Sequence, residues 1–420
     1  MSASESNSQM NYIFYLPSYQ KNSNGIICLW EAAFYFSMHR NVSIVVTDNL
    51  LTKIPNKFSK IKIFYNLERF ISKSNHKNVE HTSNIPKGNE IIEIRPDDPH
   101  NLMTKSTNKI VRYLMCRSLV LSPKELDVDE NNYVLSYSNA VSTVFPSYLI
   151  INENLLQISN SVEKAKKKNK ALIYYGKTRY GLCFKNLNEI AKQFEEYEII
   201  HRLYPDNNRD LYKKIAESSL FISLDPLTSL MHESTLIGTP AYVYDQAFKK
   251  FYDNFDFKLH GFYYDLKPSD LKDIDIESKN LSEKTNETAR KFMSDINERT
   301  IITIESIENY FDSKISNINN INKAKEEDLN FFKNIWKIPT IFNCISFKTI
   351  ERYHLVNKYK ILSIALLMIR RIFLKVLNIL FLNHMVDEEK IILKNYLFIN
   401  NIKKNKSSKE INKKISKNWK

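Results

Sequence analysis

The 420-residue chain contains little glycine and little cysteine, with six and four residues respectively. The cysteines form no CxxC pair and have no metal-ligand spacing: Cys28, Cys116, Cys183, Cys344. This scatter argues against a disulfide framework and a zinc site, and indicates reduced thiols in a cytoplasmic protein. The first residues, MSASESNSQM, lack the charged-then-apolar pattern of a secretion signal, so we expect residues 1–11 to be a disordered leader.

The body of the chain also lacks strong net charge. Residues 340–420 carry 17 Lys/Arg against 5 Asp/Glu, a net of +12 out of +14 for the whole chain. A nucleic-acid-binding body would carry its positive charge on the folded domains. The remaining +2 over the first 339 residues therefore argues against a nucleic-acid partner.

The basic tail has no uncharged run long enough to span a bilayer. Within residues 361–386 the polar positions fall near one helical stripe, and the remaining surface is strongly apolar. This pattern favours an in-plane helix on an anionic membrane surface, with residues 401–420 adding electrostatic attraction. The alternative is a helix packed on the protein's own core, followed by a disordered basic tail.

Short apolar runs alternate with helical stretches along the chain, which predicts parallel α/β sheets. The first series has strands at 12–16, 42–46, 61–65, 90–94 and 133–137, and a helix at 26–38. The second has strands at 171–175, 197–203, 220–224 and 241–244, and helices at 186–194, 209–217, 229–237 and 283–311.

Between the two series, residues 151–170 are polar and basic, and we interpret them as a linker. The predicted architecture is therefore two Rossmann-like lobes, 12–150 and 171–312, separated by a cleft of the kind small ligands prefer. Residues 313–400 are expected to be a helical appendage, followed by the disordered tail 401–420.

Residues 220–244 carry the most informative pattern. An apolar run ends at Asp225, a candidate helix starts at Thr228 and Ser229 and contains Glu233, and Gly238 ends that helix before another apolar run. This is a βαβ unit. Ligands bind at the carboxyl ends of such strands, so two carboxylates placed there suit a nucleotide sugar.

Residues 170–244 resemble the donor-binding lobe of GT-B glycosyltransferases. The large retaining family carries a Glu-x7-Glu signature, and this chain has Asp225 and Glu233 at the same spacing, with Gly238 five residues later. The resemblance implies that Glu233 binds the nucleotide ribose and that Asp225 lies near the donor sugar as the candidate catalytic carboxylate. Residues 226–228 replace the usual Gly-aromatic-Gly, which leaves a neighbouring GT-B family and the stereochemistry open.

The resemblance also implies phosphate contacts. Cations that follow the first strand of the lobe would stabilise the departing nucleoside diphosphate, and a helix start favours phosphate. Ordinary surface charges, a helix cap at Asp225 and a turn at Gly25 are the plainer interpretations. The candidate donor-binding residues are Gly176, Lys177, Arg179, Arg202, Thr228 and Ser229, with Asn24 and Gly25 in a loop of the first lobe.

Two DxD-like triplets, at 127–129 and 273–275, lie in polar segments and not after buried strands. We therefore expect no metal and no cofactor, since the nucleotide sugar is a substrate. None of the nine histidines stands out as a general base.

The expected function is that of a bacterial hexosyl-type glycosyltransferase on the inner face of the cell membrane. Its acceptor would be a surface glycan, lipopolysaccharide or capsule, free or lipid-linked. The alternatives are a nucleotide-sugar epimerase with the same fold, or a non-catalytic membrane-associated scaffold.

Overall fold

The chain divides into two compact units in a computed structural model. The first unit takes its described residues from Met1–Asn154, Lys250–Lys258 and Glu287–Phe332, and the second from Leu155–Lys249, Leu259–Asn286 and Lys333–Lys420. The residues described are 10–21, 23–48, 50–86, 90–97, 108–115, 132–162, 168–174, 194, 196–200, 205, 208–223, 228–243, 252–264, 277–313 and 317–336.

The first unit is built on a seven-stranded parallel sheet with the order β4-β3-β2-β1-β5-β6-β7. The sheet reverses its direction of winding between β1 and β5, which makes that position its topological switch point. The strands are β1 Asn11–Leu16, β2 Asn41–Val46, β3 Lys62–Tyr65, β4 Val79–His81, β5 Ile91–Pro96, β6 Lys109–Leu114 and β7 Tyr133–Ser136.

Helix α1 (Asn24–Ser37) follows β1 and packs on the sheet through its apolar face. Phe36 makes edge-to-face contacts with the rings of Tyr12 and Phe14 on β1, with ring centroids 5.4 and 5.3 Å apart. These aromatic contacts, together with the burial of the Tyr12, Phe14 and Phe36 rings, account for the position of α1 on the sheet. A short helix, α2 (Glu68–Ile71), follows β3.

The second unit is built on a five-stranded parallel sheet with the order β12-β11-β10-β8-β9. Its switch point lies between β8 and β10. Helix α3 (Glu153–Val162) precedes this sheet, and α4 (Asn208–Glu217) and α5 (Leu230–Ile237) belong to the second unit. Helix α6 (Glu277–Ser294) belongs to the second unit up to Asn286 and to the first unit from Glu287. The strands are β8 Lys168–Tyr174, β9 Glu196–Ile200, β10 Ser218–Ser223, β11 Ala241–Val243 and β12 Phe262–Tyr264.

The predicted α/β class with two parallel, Rossmann-like sheets is confirmed. The structure adds three strands to the prediction: β4, β6 and β12. Strand β6 carries Lys109 and Arg112, which broke the apolar pattern, whereas β4 and β12 have only three residues each. Their strand conformation depends on pairing with a longer neighbour, because a three-residue segment has almost no local signal.

The single helix predicted at 283–311 is two helices, α6 and α7 (Ile296–Ser313). They separate at Asp295, where the Ser294 hydroxyl donates to Asp295 Oδ1 at 3.0 Å and Arg299 N–H donates to the Asp295 carbonyl. Ser and Asp side chains compete with helical backbone hydrogen bonds, which favours a helix boundary at this point.

Helix α7 and helix α8 (Ile318–Trp336) pack with the first unit, which corrects the predicted lobe boundary at 312 and the predicted appendage from 313. The Arg40 guanidinium and the Tyr12 hydroxyl both donate to Glu308 on α7. On α8, Ile321 and Ala324 are buried in a core cluster with Val134 of β7. Because these contacts join residues far apart in sequence, no local sequence pattern predicts that α7 and α8 belong to the first unit.

The interval 151–170, expected to be a linker, contains α3 and the first residues of β8. Leu155 and Leu156 are buried, so the helix has an apolar side despite the basic composition that follows it. Cys28 is buried and is not part of a disulfide, and its sulfur accepts a hydrogen bond from the Tyr137 hydroxyl at 3.5 Å. The other cysteines, residues 1–9 and the tail from 337 lie outside the described residues. Among the described helices, none is both long and apolar enough to cross a membrane.

Candidate functional site

The β10–α5–β11 unit occupies the switch point of the second sheet. The last residues of β8 and β10, Tyr174 and Ser223, are register partners in parallel strands. Strand β8 also pairs with β9, and β10 also pairs with β11. The chain therefore leaves these two neighbouring strand ends toward opposite sides, which is the geometry that forms a ligand crevice in open α/β sheets.

Helix α5 ends at Gly238, as predicted. Gly238 has φ 93° and ψ 17°, a left-handed conformation that strains any residue with a Cβ. Its N–H donates to the Thr235 carbonyl at 3.1 Å, and Thr239 N–H donates to the Ser234 carbonyl at 2.9 Å. This Schellman motif ends α5 at Gly238. Because the helix begins at Leu230, Glu233 lies in its first turn.

At the start of α5, Thr228 has a structural role of its own. Its Oγ1 accepts a hydrogen bond from Leu230 N–H at 3.3 Å, which satisfies one of the free donors of the first turn. Ser229 is the N-cap residue, is exposed and makes no side-chain cap hydrogen bond. Of the two predicted phosphate-binding hydroxyls, Ser229 is the one presented to solvent.

The Glu233 carboxylate is buried, with 1% of the residue exposed. Its Oε2 accepts a hydrogen bond from the hydroxyl of Tyr212 on α4 at 3.1 Å. The Tyr212 hydroxyl in turn accepts from Asn208 Nδ2 at 3.3 Å. Sequence reasoning missed Tyr212 and Asn208, because their four-residue spacing is common on helices and nothing in it points to Glu233.

His232 precedes Glu233 and is buried as well. Burial lowers the pKa of His232 from 6.5 to about 4, so the imidazole is neutral at physiological pH. The residue that precedes Glu233 on α5 is therefore an uncharged histidine.

Five predicted site residues follow the strand ends in sequence and lie outside the described residues: Gly176, Lys177, Arg179, Arg202 and Asp225. Glu233, Thr228 and Ser229 are brought together at the first turn of α5. The phosphate contacts proposed for the three cations, and the catalytic role proposed for Asp225, stay predictions.

In the first unit, Asn24 and Gly25 lie in the first turn of α1, which corrects the expected loop. The turn closes through Ile27 N–H to the Ser23 carbonyl at 2.9 Å, and Asn24 Oδ1 accepts from Asn152 Nδ2 at 3.0 Å. Among the described residues, and apart from its chain neighbours and the backbone of its own helix, no atom lies within 4 Å of a Cβ built on Gly25. The space beside Gly25 is open, so close packing within the protein does not explain this glycine.

Within the described ranges, no group of three or more His, Cys, Asp or Glu side chains has a metal-binding arrangement. Both DxD-like triplets lie outside those ranges. The expected absence of a metal stays a prediction.

No protein-family model and no curated protein matches the sequence. Solved structures with a similar fold include the sucrose-phosphate synthase from Thermosynechococcus elongatus, at TM-score 0.42 and 10% identity over 71% of this chain and 99% of that one. Anabaena HepE in complex with UDP and glucose has TM-score 0.44 and 12% identity over 71% and 100%. A glycosyltransferase from Rickettsia africae has TM-score 0.40 and 9% identity over 71% and 99%. All three TM-scores are below 0.5, so these similarities assign no function to this chain.

Proposed function

We propose that the protein is a nucleotide-sugar-dependent glycosyltransferase whose second unit binds the donor. The observation that carries the proposal is the position of Glu233 in the first turn of α5, directly after the switch point of its sheet. Asp225 stands eight residues earlier and Gly238 five residues later, at the spacing of the GT-B donor signature.

The environment of Glu233 suits recognition of ribose hydroxyls. A buried carboxylate has low local dielectric around it, which strengthens hydrogen bonds that it accepts. The Tyr212 hydroxyl on Oε2 holds the carboxylate in one orientation before a ligand arrives. Pre-organisation of this kind lowers the entropic cost of binding.

The proposed chemistry depends on positioning and on stabilisation of the leaving group. Transfer breaks the bond between the sugar and the nucleoside diphosphate, and the departing diphosphate gains negative charge. Lys177 and Arg179 would stabilise that charge, and Ser229 at the start of α5 would donate to a phosphate oxygen. Asp225 is the proposed catalytic carboxylate beside the donor sugar.

We further infer that the acceptor is a cell-surface glycan, such as lipopolysaccharide or capsule, and that the transferred sugar is a hexose. The basic, apolar sequence of residues 361–386 and the lysines that follow it support peripheral binding to an anionic inner membrane surface. Such binding would bring the enzyme close to lipid-linked acceptors.

The test is Glu233→Gln in the full chain, because Ala would open a cavity at this buried position. A panel of nucleoside diphosphates (UDP, GDP, CDP and ADP) is titrated calorimetrically, and the tightest binder is used for both variants. Loss of the charge weakens hydrogen bonds from the ribose, and we expect affinity to fall about 10-fold.

The matched control is Glu198→Gln in the same unit. Glu198 accepts hydrogen bonds from Lys170 and Lys214, and this network lies at the amino-terminal part of β8, away from the strand ends at the switch point. This variant should lose stability and keep its nucleotide affinity. Equal affinities for wild type and Glu233→Gln would contradict the proposed ribose contact.

A further inference from the structure

The Glu233 carboxylate and the Tyr212 hydroxyl form part of a hydrogen-bond chain that begins on a different helix. Asn208, in the first turn of α4, donates to the Tyr212 oxygen at 3.3 Å, and the Tyr212 hydroxyl donates to Glu233 Oε2 at 3.1 Å. Tyr212 and Glu233 are both buried, so the hydrogen bond between them is shielded from solvent.

The chemistry of the three groups determines which of them donates in each of the two hydrogen bonds. An amide nitrogen can only donate, so the Asn208 contact occupies a lone pair of the Tyr212 oxygen. The phenol has a single hydrogen, which is then committed to the carboxylate of Glu233. Tyr212 therefore acts as a fixed donor to Glu233, and the hydrogen bond favours the ionised carboxylate.

Helix α5 is also held in place by contacts that do not involve the Asn208–Tyr212–Glu233 hydrogen bonds. Thr239 Oγ1 donates to the Ile215 carbonyl of α4 at 2.7 Å, and Asn286 of α6 donates to the Leu236 carbonyl. Because these contacts fix the backbone of α5, the hydrogen bond from the Tyr212 hydroxyl acts on the orientation of the Glu233 side chain and not on the position of the helix.

We infer that Tyr212 is a positioning residue for nucleotide recognition: it orients Glu233 so that the carboxylate meets the ribose hydroxyls of the donor. The inference rests on the proposed function, since it requires Glu233 to bind ribose. Tyr212 itself does not touch the nucleotide. Its contribution should therefore depend on the ribose hydroxyls and not on the base or the phosphates.

The experiment compares a nucleoside diphosphate with its 2′,3′-dideoxy counterpart by calorimetry, using the tightest binder of the panel above. The ratio of the two affinities measures recognition of the ribose hydroxyls. For Tyr212→Phe, which keeps the ring and removes the hydroxyl, this ratio should fall about 3- to 10-fold. Asn208→Ala leaves Tyr212 in place and should lower the ratio by about 2-fold.

The control for lost stability is Tyr148→Phe in the first unit. Tyr148 is as buried as Tyr212, and its hydroxyl forms a hydrogen bond of 2.7 Å with Thr300 Oγ1. This variant should lower the melting temperature and leave the affinity ratio unchanged. If Tyr212→Phe does not fold, the result for Asn208→Ala decides, since Asn208 is only partly buried.

The outcomes separate the two proposals. A reduced ratio for Glu233→Gln with an unchanged ratio for Tyr212→Phe overturns the role of Tyr212 and leaves the ribose contact standing. Equal weakening of both ligands by Tyr212→Phe also overturns it, because a purely structural defect has that effect. An unchanged ratio for Glu233→Gln contradicts the ribose contact and, with it, the inference.

Discussion

Helices α1 and α5 both lie at the switch points of their sheets and differ in how they are packed. Each follows a strand at its sheet's switch point, β1 for α1 and β10 for α5. Helix α1 has an exposed glycine, Gly25, as its second residue, and only part of the helix surface is buried. Every residue of α5 is buried, including His232 and Glu233.

This difference determines how function can be tested on each helix. On α5, Glu233 is proposed to bind ribose and also belongs to the core, so its substitution changes stability and binding together. On α1, a Cβ added at Gly25 meets no atom of the described residues beyond the adjacent helical turn. Isosteric substitutions are therefore needed on α5, whereas a simple side-chain addition is informative on α1.

The largest expected effect is on stability, from Met231→Ala on α5. Met231 is 0% exposed, and its truncation removes buried contacts and leaves a cavity worth about 2–5 kcal/mol of unfolding free energy. Ile26→Ala on α1, where the side chain is only partly buried, should cost about 1 kcal/mol. Urea denaturation of both variants measures the difference. Equal losses would contradict the packing contrast between the two helices.

The next effect concerns pH and His232. Its pKa is about 4 in the folded protein and 6.5 ordinarily, so between these values the unfolded chain binds a proton that the folded chain does not. The unfolding free energy should therefore fall as pH drops from 6.5 to 4, by about 3 kcal/mol in total. The melting temperature, measured across this pH range, should fall less steeply with decreasing pH for His232→Gln than for wild type. The same pH dependence in both proteins would show that His232 does not contribute to acid sensitivity.

The smallest expected changes in stability come from alanine substitutions at Gly25 and Gly238, and the two changes have opposite signs. Gly25→Ala should raise the unfolding free energy by about 0.5 kcal/mol, because Ala favours the helix and meets no neighbour. Gly238→Ala should lower it by about 1 kcal/mol, because φ is 93° there. If a ligand approaches Gly25 closely, the stabilised Gly25→Ala variant will lose transfer activity. Full activity would mean that the glycine serves no ligand.

A second source of pH dependence lies in the Glu198 network used as a control. Burial alone would raise the pKa of Glu198, but hydrogen bonds from Lys170 and Lys214 outweigh it, so the pKa is lowered. The stability it contributes is therefore present at neutral pH and lost as the pH falls through the lowered pKa. This makes neutral pH the correct condition for comparing Glu198→Gln with Glu233→Gln.

Much of the strand content was predictable, since buried parallel strands appear as short apolar runs. Strand β2 was expected at 42–46 and spans Asn41–Val46. Strand β6 was missed because Lys109 and Arg112 interrupt its pattern, although Arg112 is buried in the folded protein. The charge of Arg112 is accommodated partly by its Nε donating to Asn132 Oδ1, a contact across 20 residues.

For the candidate site, too, local features could be predicted from the sequence, and contacts between residues distant in sequence could not. The position of Glu233 on a helix that ends at Gly238 could be predicted from local spacing alone. The burial of Glu233 and its contact with Tyr212 could not, since a spacing of 21 residues between two helices has no periodic signature.

The sequence by itself therefore determined the alternation of strands and helices, the parallel α/β class and the end of α5 at Gly238. These features depend on apolar periodicity and on backbone conformation, which are local properties. Only the tertiary structure decided that α7 and α8 join the first unit, and that Tyr212 donates to Glu233. Those arrangements depend on which distant surfaces bury one another, as in the hydrogen bond between Tyr12 and Glu308 across 296 residues.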